Sequence, residues 1–192
     1  TGNLAKQMKP LIDLEIITRN NPINKLGDNK KSGFEINDNL LRFYFTFLYK
    51  NASALQMLGA EAFYNEYIAP VLTEFISRRF EGICRDYFSL QVRAGKRGGV
   101  RNIGSYYYDD PVHRKNGEFD VVLEYADGYE IYEAKYYAQP MTLDEIHREV
   151  RQVEAIRELK VKQLGFIAIN GFAEEESPYT YLNGKDIYAE ES

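Results

Sequence analysis

The sequence has a single cysteine, Cys84, and no apolar run approaching the roughly 20 residues that cross a bilayer. One cysteine excludes a disulfide framework and fits a reducing, cytoplasmic setting; its place in an apolar helical pattern makes it a core residue. The missing apolar run, together with the lack of a signal-peptide pattern, argues against membrane insertion. There is no internal repeat and no low-complexity segment. Positive charge is in deficit, with 24 Lys and Arg against 29 Asp and Glu and a formal net charge of -5. That balance argues against a protein that coats nucleic acid with its whole surface, though it permits a local basic patch. A phosphate-binding G-x-x-x-x-G-K-[ST] loop is also missing. "AGKRGG" lacks both its spacing and its hydroxyl residue, so no ATP site is expected.

What is present suffices for a folded core: 192 residues, 44% hydrophobic and 14% aromatic, enough for one large domain or two small ones. The opening Thr1-Gly2 reads as an engineered remnant or an internal cut, the mark of a fragment. Residues 4–36 read as a short helix followed by two β-like runs around a polar turn, the pattern of a wing in a winged helix. Asp38 is placed to cap "NLLRFYFTFLYKN", an aromatic helix expected to be buried. A break is expected over "NASALQMLGA". Pro70 then opens a helix running to about Phe88 with apolar residues at three-four spacing. Along one edge of that face lie Glu74, Arg78, Glu81 and Arg85.

The second half alternates differently. "GSYYYDD", "EFDVVLEY" and "YEIYEAKYY" read as three strands, the last two joined by a tight "ADG" turn. Thr142 and Glu145 form a capping box in front of an amphipathic helix with Leu143, Ile146, Val150, Val153, Ile156 and Leu159 on one face. "LGFIAIN" is nearly all apolar, as in a strand buried on both faces. The order helix, three strands, helix, strand is that of an α/β sheet layered by helices.

Three charged residues interrupt the hairpin. Side chains alternate along a strand, so Glu133 and Lys135 share a face, as do Asp120, Val122 and Glu124 on the preceding strand. Pairing across "ADG" sets Asp120 opposite the Glu133–Lys135 region. Two hard oxygen ligands suit Mg²⁺ or Mn²⁺, and a lysine beside them suits phosphodiester hydrolysis. A cross-strand salt-bridge ladder accounts for the same spacing.

Taken together, these residues resemble a known signature. "GEFDVVLEY…YEIYEAKYY" is similar to the (P)D…(D/E)-x-K pattern of the restriction-endonuclease-like PD-(D/E)xK nuclease superfamily, with Asp120 at the first acid and Glu133-Ala134-Lys135 at E-x-K. "EGICRDYF" resembles that superfamily's first-helix motif through Glu81, Cys84, Tyr87 and Phe88. With "DNLLRFYFTFLYKN" and "RNIGSYYYDD", the chain resembles the C-terminal domain of unknown function of archaeal and bacterial AAA-type ATPases over about residues 4 to 172. Departures are a Tyr-Tyr-Tyr run for an aromatic pair and E-A-K for E-C-K; neither removes a charge. The resemblance implies a restriction-endonuclease-like α-β-β-β-α-β core at 60–192, preceded by a partial winged-helix segment at 1–52. It also implies a Mg²⁺- or Mn²⁺-dependent DNA endonuclease attached to an ATPase module of the same polypeptide. Asp120, Glu133, the Ala134 carbonyl and Glu81 would hold the metal, Lys135 would serve the chemistry, and Glu118 would stand behind Asp120 or as a third ligand.

The basic stretch 93–101, with Arg93, Lys96, Arg97 and Arg101, is the candidate DNA contact, against the plainer reading of a solvated loop. His113, in "DDPVHRKNG", reads as a solvated loop residue with a general base as the alternative, and His147 as surface. Arg148, Arg151 and Gln152 on the later helix read first as a solvent-facing surface, with phosphate contact, which the resembled fold implies near its site, as the alternative. Most of the sixteen tyrosines are expected in core and interdomain contacts. The alternatives to a nuclease are a non-catalytic DNA- or protein-interaction domain of the same fold, and a purely structural dimerisation domain built on the aromatic helix at 39–51.

Overall fold

The computed structural model describes residues 2–110 and 115–189. His113 and its neighbours lie outside the described residues. The chain forms two compact units: Thr1–Asn21 with Gly27–Phe75, and Pro22–Leu26 with Ile76–Ser192.

In the first unit, α1 (Gly2–Asp13) precedes a two-stranded antiparallel sheet of β1 (Ile17–Asn20) and β2 (Gly33–Ile36), formed by the two expected β-like runs. Asp38 caps α2 (Asn39–Phe43) by accepting a hydrogen bond from the Leu41 N–H at 2.7 Å. The helical path then widens through a π-turn at Tyr44–Leu48. The expected break at 51–60 is instead helix α3 (Ala52–Phe63), interrupted once at Gly59, whose φ of +76° a side chain would resist. A second correction concerns the aromatic helix: only Phe47 in it is buried, while Leu40, Tyr44, Phe45 and Tyr49 are exposed. Phe47, Phe63 and Ile68 form the unit's buried core, and the half-buried Phe43 and Phe75 pack against Phe47 and each other with ring centroids 4.9 to 6.1 Å apart. The apolar stripe of this helix is narrower than its aromatic content.

Helix α4 (Ala69–Arg93) has Pro70 in its first turn, where a missing N–H costs nothing, and runs five residues beyond Phe88. In the second unit follow β3 (Asn102–Asp110), β4 (Lys115–Glu124), β5 (Tyr129–Lys135), α5 (Leu143–Glu154), β6 (Val161–Ala168), β7 (Thr180–Asn183) and α6 (Gly184–Ile187). The five strands form one mixed sheet in the order β3-β4-β5-β6-β7, antiparallel up to β5 and parallel from β5 to β7. Strand β7 and helix α6 were not foreseen, because a four-residue strand carries too little periodicity. Thr142 and Glu145 make the full capping box, and α5 ends at Glu154, before Ile156 and Leu159.

The sheet is covered on both faces. Phe80, Cys84 and Phe88 of α4 pack on Val121, Leu123, Tyr132, Ala134 and Ile167. Val153 of α5 packs on Phe119, Val122 and Ile131, and Ile146 and Val150 pack on Phe166 and Ala168. Each fully buried aromatic contributes about 2–3 kcal/mol by burial. The Tyr132 ring lies so close to Gly165 that an added Cβ would sit 2.5 Å from it.

Candidate functional site

The site begins with an irregularity in β4. Gly104 pairs with Val122 but Tyr106 pairs with Phe119, so Ser105 alone faces both Asp120 and Val121. This is a β-bulge, and it breaks the expected alternation: Val121 and Leu123 join the α4 side, Phe119 and Val122 the α5 side. The shared face expected for Asp120 and Val122 therefore does not hold. A bulge re-aims one side chain without ending the strand, and here that residue is Asp120.

The second irregularity lies between β4 and β5. Their ladder runs from Glu124↔Tyr129 to Val121↔Tyr132 and stops. One step further, Asp120 stands opposite Glu133, and the Asp120 side chain replaces the main chain: its Oδ2 accepts from the Ala134 N–H at 3.2 Å. The Asp120 carbonyl accepts from Arg85 Nη1 of α4 at 2.7 Å. Both ends of the residue are thus fixed.

Glu133 and Lys135 follow on the face toward α5. Lys135 Nζ pairs with Glu133 Oε1 and lies 4.0 Å from Oε1 of Glu149. Glu133 and Glu149 are each only 8% exposed, the two buried charged residues among those described. Arg148 Nη2 stands 3.3 Å from the same Glu149 oxygen but is itself open to water. Burial pushes Asp120 up to about 6, with Glu81 adding repulsion and Lys135 opposing it. Burial, reinforced by Asp120 and opposed by Lys135, pushes Glu133 up to about 8. Glu81 is raised as well, by burial first, against the pull of Arg85, with Glu133 and Glu118 adding to the rise. For Lys135 burial works toward a lower value, but Glu133, Asp120 and Glu149 together carry it above the ordinary lysine range. The cluster holds more negative charge than its own cations offset.

Asp120, Glu133, Ala134 and Lys135 are therefore brought together, with Glu81 coupled to both acids. Glu118 is exposed and acts on the cluster only through its field on Glu81. Among the described residues no three His, Cys, Asp or Glu side chains form a ready metal-binding group. The 93–101 loop is placed elsewhere. Its Arg101 N–H bonds the Glu124 carbonyl, at the turn end of the hairpin. Arg93 lies twelve residues along α4 from Glu81, about 18 Å away. Arg97 is not free for phosphate: it pairs with Glu130 at 2.5 Å, donates to the Tyr132 hydroxyl at 3.2 Å and lies 4.8 Å from the Phe88 ring centroid. His147 bonds Glu176 at 2.7 Å, and Arg151 is exposed.

Sequence reasoning missed Glu149. A signal was available: it sits three residues after Ile146 and four before Val153, an acid on the buried stripe of α5. Arg85 was visible on the edge of α4, but its bond to Asp120 depends on the sheet.

A family model described as archaeal and bacterial proteins of unknown function, DUF234, matches residues 44–153. The uncharacterized protein MJECL04 of Methanocaldococcus jannaschii is 32% identical over 84 residues, 41% of this chain and 19% of that protein. The chain thus spans about a fifth of the length of that curated relative. A solved structure titled as a protein of unknown function, AF1548, aligns over 54% of this chain and 59% of its own at 14% identity, with a TM-score of 0.41.

Proposed function

The chain belongs to DUF234, a family of archaeal and bacterial proteins of unknown function, and from its own residues we propose that it carries a divalent-cation-dependent phosphodiesterase site acting on DNA. The observation that carries this reading is the Asp120 Oδ2 to Ala134 N–H bond at 3.2 Å, which sets one acid beside Glu133 and Lys135 where the ladder ends. The helix, three antiparallel strands, helix and parallel strand from α4 to β6 support a restriction-endonuclease-like architecture, since that is the core order of the PD-(D/E)xK superfamily.

The residues fit Mg²⁺ or Mn²⁺. Asp120 and Glu133 are held up by burial and by neighbouring acids, the state of carboxylates that lack a compensating cation. Mg²⁺ takes only one or two protein carboxylates and keeps several waters, so Asp120, Glu133 and the Ala134 carbonyl would hold it, with Glu81 reaching it directly or through water. When bound, such an ion supplies an acidified water and offsets charge on the scissile phosphate. The chain's own groups do the rest. Arg85 and the Ala134 N–H hold Asp120 in place. Lys135 brings its ammonium to the developing phosphate charge or orients the attacking water. An ATPase module on the same polypeptide, as the sequence resemblance implies, is the partner in this reading.

A non-catalytic DNA- or protein-interaction domain is the second reading, favoured by the pairing Lys135 already makes with Glu133. Nicking of supercoiled DNA in Mg²⁺ or Mn²⁺ separates the two. The wild type is expected to nick, and Asp120→Asn and Glu133→Gln to lose the activity. A wild type that neither nicks DNA nor gives Mn²⁺ heat in calorimetry moves the assignment to the second reading.

A further inference from the structure

We infer that Glu149 is a positioning residue of this site, a second buried carboxylate that receives the Lys135 ammonium when a cation takes Glu133. The inference rests on the metal-site reading above and adds to it a group outside the D…E-x-K pattern.

The geometry poses a conflict. Lys135 Nζ pairs with Glu133 Oε1, yet Glu133 is one of the two acids offered to the cation. A dication drawn to Oε1 of Glu133 and an ammonium on the same oxygen repel each other, so the two compete for it. In the exchange, Lys135 gives up that oxygen. Its side chain is 20% exposed, and an ammonium abandoned in such a place without a counter-charge is costly. Glu149 removes that cost, since its Oε1 is already 4.0 Å from Nζ, a short swing for a lysine tip.

Four further observations fit the role. Glu149 sits on a fixed element: α5 is closed by a full capping box and packed through Ile146, Val150 and Val153. An acid on that stripe costs folding free energy unless a buried partner meets it, and Lys135 is the partially buried cation that does. Arg148, the other cation at 3.3 Å, has a side chain 59% exposed and can turn into water, so it need not hold the carboxylate when Lys135 arrives. Glu145, on the same helix, feels both Arg148 and Lys135, but its carboxylate is committed to the Thr142 cap.

Mn²⁺ calorimetry on the 192-residue chain tests this with a double-mutant cycle of wild type, Glu149→Gln, Lys135→Met and the double variant. Glu149→Gln is expected to weaken Mn²⁺ binding about tenfold when Lys135 is present and about twofold or less when Lys135 is methionine. Lys135→Met alone is expected to tighten binding, because the competitor for Glu133 is gone. Equal losses in both backgrounds mean that Glu149 acts as a ligand or through its field, and overturn the exchange. No loss in either background overturns it too. A wild type that binds no Mn²⁺ overturns the metal reading and the exchange together, which separates that failure from the other two. Thermal unfolding checks each protein, and Glu149→Met replaces Glu149→Gln in the cycle should the amide fail to fold.

Discussion

At the turn end of the β4–β5 hairpin, Arg97 meets Glu130 at 2.5 Å and the Tyr132 hydroxyl at 3.2 Å, with the Phe88 ring beneath the guanidinium. At the open end of the same strands, Asp120, Glu133, Glu149 and Glu81 gather around Lys135 and Arg85. Both ends are half-buried and both mix acids with a cation. The turn end matches one guanidinium to one carboxylate and an aromatic face, so it serves as a brace. The open end leaves acids in excess, Asp120 pushed up to about 6 by burial and by Glu81, and Glu133 up to about 8 by burial and by Asp120. A balanced cluster stabilises; in the reading proposed above, the unbalanced one awaits a cation.

The largest expected contrast is in rate. Lys135→Ala should lower DNA nicking by about 10²–10³-fold, the loss seen when a preorganised charge is removed from a transition state. Arg97→Ala should leave the rate of the folded protein unchanged. If nicking assays show both falling alike, the two ends are one functional unit and the contrast between them fails.

Stability should divide the opposite way. Arg97→Ala is expected to cost about 2–3 kcal/mol in urea unfolding, somewhat below the loss from breaking a fully buried pair. Asp120→Asn, without metal at pH 8, should be neutral or stabilising, because the amide oxygen can still accept from Ala134 N–H while the repulsion is relieved. A large loss there would make Asp120 a structural residue.

A pH titration probes the same imbalance. In the metal-free fold Asp120 and Glu133 keep their protons to higher pH than in the unfolded chain, from ordinary values of 3.8 and 4.5 up to about 6 and about 8. The folded state thus binds more protons between about pH 4 and 8, and stability should fall as pH rises through that window. Lys135, raised in the fold, contributes evenly there and loses its contribution only in strong alkali. Unfolding midpoints at pH 5 and pH 8 should differ less in the Asp120→Asn, Glu133→Gln double variant. Mn²⁺ affinity should rise from pH 6 to 8, since the acids must shed protons to bind.

The smallest effect belongs to the loop. Removing Arg93 and Arg101, both exposed, should weaken DNA binding evenly across sequences, flatten the salt slope by about 2, and leave the rate at saturating DNA unchanged. A change in that rate would bring the loop back to the site despite its position.

The pairing of Asp120 with Glu133-Ala134-Lys135 was legible in the sequence because hairpin pairing is local: a four-residue connection at 125–128 fixes which residues meet. Glu149 was half-legible, as a charge on an apolar stripe whose purpose lay on another element. The role of Arg97 was not legible, since a loop arginine beside glycines looks the same whether it faces solvent or folds back onto a strand.

Local sequence alone sets the β1–β2 hairpin, the Asp38 and Thr142 caps, the helix begun at Pro70 and the strand order through β6. These follow from backbone sterics, capping hydrogen bonds and side-chain periodicity within a few residues. Long-range packing settles the rest: a bulge opposite Ser105 aims Asp120, Arg85 holds its carbonyl, Glu149 faces Lys135, and Arg97 is consumed at the far end of the hairpin. Each of those depends on residues 14 to 35 positions apart sharing one desolvated space, where the balance of charge is set by packing and not by neighbours along the chain.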